Sequence, residues 1–132
     1  MKFTTITILI LLLGTVLAVG QGSSYRSGTT IRIDESDSLS TNLMAAGRFI
    51  EHFGYINDDF YSASEHLMIN GEVKDDAIAA ARAISITGTI GDMFVGVGET
   101  VIIDGIIRGD LFAAGATIEI TENAHIHGNV AV

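Results

Sequence analysis

The chain is 132 residues long, 48% hydrophobic and 17% charged, with a formal charge of −9. That is the length of one domain, with ample apolar material for a core. Seven Lys and Arg against sixteen Asp and Glu exclude the basic stripe that nucleic acid requires, and the absence of cysteine excludes a disulfide framework, a thiol nucleophile and a lipid-modified cysteine.

The first element is a leader. Met1-Lys2 precedes an apolar run from Ile6 to Ala18, and Ala18-Val19-Gly20 supplies small residues where a signal peptidase cuts. Residues 1–20 read as a secretory signal cleaved before Gln21. The competing reading is an uncleaved membrane anchor, because Phe3 to Val19 falls just short of the roughly 20 residues that span a bilayer. Either way the expected location is extracytoplasmic: secreted or envelope-associated after cleavage, membrane-anchored without it. Residues 21–30, rich in Gly, Ser and Thr, read as a flexible lead into the folded part.

From residue 31 onward a repeat governs the chain. Ile50, Leu67, Ile84, Val101 and Ile118 recur every 17 residues, and His52, Ile69, Ile86, Ile103 and Ile120 form a second column two residues on. A third column runs Leu39, Ile56, Val73, Ile90, Ile107, Ile126. The fourth is read as Leu43, Phe60, Ala77, Met93, Leu111, Val130, and the fifth as Ala45, Ser62, Ala79, Val95, Ala113, Val132. Apolar pairs at i and i+2 share one face of a strand, so each repeat predicts two or three short strands bent around a common interior. A fixed period in this range is the signature of a solenoid. The expectation is an all-β, single-stranded solenoid of about six coils over 31–132, a rod on the order of 30 Å long, with no helix. Departures from 17 are expected at Gly91, at Gly96 to Glu99, and at Glu122 to Ala124.

Corners repeat too. Gly54, Gly71, Gly88 and Gly105 stand 17 apart, where a bend calls for positive φ. The next turn carries Asn42, Asp59, Asp76, Asp92, Asp110 and Asn129, residues that cap local backbone N–H groups. Proline is absent, as suits a chain whose N–H groups must donate to neighbouring coils. His52 interrupts an isoleucine column, which predicts a distorted or less buried coil there.

Chemistry-bearing patterns are few. No metal or cofactor is expected; the residues best placed to take a cation are Asp59 and Asp76, stacked and flanked by Asp58 and Asp75, and the His125-x-His127 pair. No nucleophile elbow, phosphate loop or paired acid and base appears, so no enzyme is expected. Inward spacings of 2, 4, 4, 2 and then 5 or more exclude the six-residue period of hexapeptide acyltransferases, and the threonines form no single outward column of the ice-binding kind.

The segment from Val101 to Ile120, with its strand, Gly corner, Gly-Asp turn and Phe-Ala-Ala-Gly continuation, resembles the repeat of the bactofilins, polymer-forming cytoskeletal proteins of bacteria. The resemblance covers about residues 31–132 and implies a right-handed parallel β-helix that joins end to end into non-polar filaments without nucleotide. Those proteins are usually cytosolic, whereas this sequence carries an export-like leader.

The sequence stops at Val132 at an inward position, so either a cap lies beyond it or the end is itself a stacking surface. Leu39, Leu43 and Ala45 at one end, and Ile126, Val130 and Val132 at the other, are the residues expected to carry self-assembly. The partner is then the chain itself, with a membrane reached only through the leader. The functional alternative is a monomeric extracytoplasmic binding module whose acidic flank meets a cation or an envelope component.

Overall fold

The structure, a computed structural model, describes residues 23–132. The leader reading for residues 1–20 lies outside them. Among the described residues no helix is long and apolar enough to cross a membrane.

The strands in chain order are β1 (Ser24–Ile33), β2 (Ser38–Leu39), β3 (Leu43–His52), β4 (Tyr55–Ile56), β5 (Phe60–Ile69), β6 (Glu72–Val73), β7 (Ala77–Ile86) and β8 (Thr89–Ile90). They continue with β9 (Phe94–Val97), β10 (Thr100–Ile103), β11 (Ile106–Ile107), β12 (Leu111–Ala114), β13 (Thr117–Ile120), β14 (His125–Ile126) and β15 (Val130–Ala131). One long strand and one short strand make a coil, and in the fifth and sixth coils the long strand divides in two. All pairings are parallel, and they run through the stack in sequence order. The result is a β-solenoid of about six turns.

The first three columns stack as expected. Leu67 pairs with Ile84 and Ile69 with Ile86, and these continue to Val101 and Ile103. In the third column Leu39, Ile56, Val73, Ile90, Ile107 and Ile126 follow one another from β2 to β14. Ile50, Ile69, Ile86, Ile103 and Ile107 are among the buried side chains of a single core.

Four expectations are corrected. Residues 24–30 are not a flexible lead: they form most of β1, pairing Ser24 with Leu43 and Arg26 with Ala45, so the first coil begins earlier than the apolar columns suggest. Its offset from the second coil is 19 residues in β1, which hides Ser24 to Gly28 from a search at 17.

The fourth and fifth columns contain Phe94 and Gly96 in place of Met93 and Val95, so of the three expected departures the period stays at 17 through Gly91 and Gly96 to Glu99 and lengthens near Glu122 to Ala124. A one-residue slip exchanges the two faces of a strand. Packing decides the choice. The Phe94 ring is fully buried and leans over the neighbouring column, where a Cβ on Gly96 would come within 2.7 Å of it. Phe60 likewise neighbours Ser62, and Ala77 lies between the two rings, so bulk alternates along and across the columns.

The corner glycines do not have positive φ. Their reason is proximity: a Cβ on Gly71, Gly88 or Gly105 would lie 2.2, 2.0 or 2.1 Å from the carbonyl oxygen of the glycine one coil earlier. Finally, His52 is neither distorted nor exposed. It is 0% accessible and in register between Ile33 and Ile69.

Candidate functional site

Two places gather the chemistry the sequence offers: the turn that carries the Asp column, and the C-terminal end of the stack.

In the turn, Asp59, Asp76 and Asp110 each use one carboxylate oxygen to reach the next coil. Asp59 Oδ1 accepts from Asp76 N–H at 2.9 Å, Asp76 Oδ1 from Met93 N–H at 3.0 Å, and Asp110 Oδ1 from Asn129 N–H at 2.7 Å. Each carboxylate thus caps the backbone of the next coil, where the turn leaves an N–H without a strand partner. Met93, not Asp92, stands in register, and the ladder lapses at that coil because a thioether offers no comparable acceptor.

Asp58, Asp59 and Asp75 each present a carboxylate oxygen within 4.8 Å of the others. Asp76 is outside that cluster. Two of the three residues already use an oxygen inside the protein: Asp58 Oδ1 accepts from Asp59 N–H at 2.9 Å, and Asp59 Oδ2 from the Tyr61 hydroxyl at 3.2 Å. Burial pushes the Asp59 carboxyl above its usual range, and the nearby Asp76 and Asp58 charges push the same way, against the hydrogen bonds it accepts. Tyr61 is pushed up to about 12, by burial first and then by the Asp59 charge. The arrangement fits a capping ladder, with three oxygens already bonded inside the protein.

His125 and His127 flank Ile126 and are both exposed. Their backbone N–H groups donate to Gly105 and Ile107. Among the described residues no third His, Asp or Glu joins them in a ligand cluster.

Among the described residues the last strands have a neighbour on one side only. β13 pairs with β10, β14 with β11 and β15 with β12. Their free edges carry backbone donors and acceptors beside apolar side chains: Ile120 is 41% exposed, Val130 48% and Val132 72%, while Ile118 and Ile126 are partly covered. At the other end Leu39 lies on β2, the terminal strand of the smaller sheet. Leu43 and Ala45 are not at an end: both are buried beneath β1. The N-terminal edge belongs to β1, which the late start assigned to the solenoid concealed.

Two further outward columns escaped the sequence reading. Tyr25, Met44, Tyr61, Ile78, Val95 and Phe112 stack on the outer face of the larger sheet. Their spacing of 17 from Tyr61 to Phe112 was visible, but apolar residues had been assigned inward. Arg48 pairs with Glu65 at 2.7 Å and Arg82 with Glu99 at 3.3 Å along another column, which keeps opposite charges in adjacent coils.

No family model, curated protein or solved structure matches this chain.

Proposed function

We propose that the chain is a non-enzymatic structural protein of the cell envelope that assembles end to end by coil stacking, in the manner of the bactofilins its repeat resembles. The observation that carries this reading is that, among the described residues, β13 to β15 are paired on one side only and have the exposed Ile120, Val130 and Val132 on or beside them. An unpaired edge of this kind is a template for another strand, and apolar side chains beside it gain about 25 cal/mol per Å² on being covered. The core that stacks inside the described residues and the side chains of their last coil are of the same aliphatic types, so one more coil would extend the same spine. The envelope location rests on the leader pattern of residues 1–20. Contact with a membrane would come through that segment.

The test is the size of the purified protein over a range of concentrations, by light scattering and electron microscopy, with and without calcium. The expected result is large species or filaments, independent of calcium. Val130→Asp, at an exposed position that leaves the core untouched, should reduce them to monomers. A native chain that stays monomeric at high concentration refutes the proposal, and assembly that persists in Val130→Asp refutes the interface.

A further inference from the structure

We propose that His52 is an acid-sensitive latch: a second proton on its ring releases the first coil from the second. The imidazole is fully enclosed, with Ile33 in register on one side, Ile69 on the other and the Phe60 ring edge-on at 5.8 Å. Nε2 lies 2.9 Å from the Glu72 carbonyl oxygen. A carbonyl only accepts, so Nε2 carries the proton and Nδ1 is the bare nitrogen. Among the described residues Nδ1 has no hydrogen-bond partner. A second proton therefore creates an N–H with nothing to receive it and a charge inside an aliphatic column, both of which are costly.

The charged groups around the site offer no relief. On β1, Arg32 is bound to Asp34 and Glu51 at 2.6 and 2.8 Å on the outer surface. Glu51, on His52's own strand, is consumed in that pair. From β5 the residues that meet the ring are Phe60 and Ile69, and from β6 the contact is the Glu72 carbonyl rather than its carboxylate. Burial accordingly lowers the affinity of His52 for the proton, only partly offset by the bond to Glu72.

Water reaches Nδ1 most cheaply from the N-terminal side. The third coil is held by the coils stacked beyond it and by the Nε2 bond, whereas among the described residues β1 is the end strand of the larger sheet and pairs with β3 alone. Terminal repeats of a solenoid are fastened on one side only. Opening there would uncover Leu43, Ala45 and Ile50, the inward side chains of the second coil. The sign follows from linkage. The opened state binds the proton near the ordinary value of 6.5 and the closed state lower. The latch is therefore closed above about pH 6.5 and weakens as the pH falls below it, the opening constant rising about tenfold per pH unit until the closed-state value is reached.

Hydrogen exchange by mass spectrometry on the full chain at pH 7.5 and 5.5, corrected for intrinsic exchange, reads this directly. Peptides from β1 and β2 should lose up to about tenfold in protection at the lower pH, while those from β7 to β11 keep theirs. His52→Ile restores the column's residue type and should abolish the difference. His52→Gln provides a second non-titrating variant that keeps a donor for the Glu72 carbonyl, should the first fold poorly. Equal protection of β1 at both pH values in the native chain overturns the proposal, as does a pH response that survives in either variant.

Discussion

The Gly54 to Gly105 column permits the sharpest test of why this sequence stacks at all, and Gly88→Ala is the clearest perturbation. The added Cβ would lie 2.0 Å from the Gly71 oxygen and 2.7 and 2.8 Å from the Asn70 carbonyl atoms, where ordinary contact begins at 3.4 Å. These are backbone atoms, so no rotamer change relieves the clash, and the third and fourth coils must separate locally by about 1.4 Å. Of the backbone hydrogen bonds that cross that gap, the two made by Gly88 and the residue after it are Gly88 N–H to Ile69 O at 2.9 Å and Thr89 N–H to Gly71 O at 3.0 Å. Losing them costs about 2 kcal/mol, and overpacking adds about 1–3 kcal/mol. A loss of about 3–5 kcal/mol is a large share of the roughly 5–15 kcal/mol that holds a domain folded. Urea unfolding followed by far-UV circular dichroism measures it. Gly88→Asn separates the two explanations for the column: Asn tolerates positive φ and would be the milder change if backbone conformation were the reason, but its bulk makes it at least as harmful as Ala if proximity is. A loss below about 0.5 kcal/mol for Ala, or an Asn variant clearly more stable than Ala, refutes the steric account.

Two further outcomes follow from the turn ladder. Asp76→Ala removes the acceptor of Met93 N–H and should cost about 1 kcal/mol in urea unfolding, whereas Asp76→Asn keeps an oxygen at that place and should cost far less. Tyr61 should ionise near the value of about 12 in an ultraviolet titration, and Asp59→Asn should bring it down by removing the neighbouring charge. Because that folded value is raised, Tyr61's contribution to stability is complete below about pH 10 and disappears as the pH climbs toward 12.

The columns at Ile50, His52 and Leu39 were legible because aliphatic residues at constant spacing have one economical arrangement, a shared interior. Where the residue types were ambiguous the pattern misled. At Met93 to Gly96 hydrophobicity alone favours Met93 and Val95, but ring volume puts Phe94 inward and requires a glycine beside it. In β1 the repeat was masked by a 19-residue offset and by Ser24 to Gly28, which keep the strand's backbone pairing without its apolar side chains. The Asp column was found, but not its direction: a one-dimensional sequence does not say whether a carboxylate caps its own turn or the turn of the next coil. His52 was misjudged because a polar residue in an apolar column suggests exposure, and nothing local foretells that a carbonyl 20 residues later receives its proton.

The two long corners of the solenoid bear on how its ends can be used. Ile33 and Leu39 are six residues apart, as are Ile120 and Ile126, where the interior coils need only four. In both places the extra residues close a turn on themselves, Asp37 N–H donating to Asp34 O at 2.9 Å and Ala124 N–H to Thr121 O at 3.1 Å. Interior corners instead pass their bonds to the adjoining coil, as Gly71 N–H does to His52 O. A corner with a neighbour on one side only must satisfy part of its backbone locally, and two added residues suffice for one such bond. The strand edges of β13, β14 and β15 receive no equivalent closure among the described residues. Under the assembly proposed above, an arriving coil would be recruited along the strands, where Ile120 and Val130 lie, and not at the Thr121 to Ala124 corner. For this reason a charge at Val130 should matter more for assembly than one at Glu122 or Asn123.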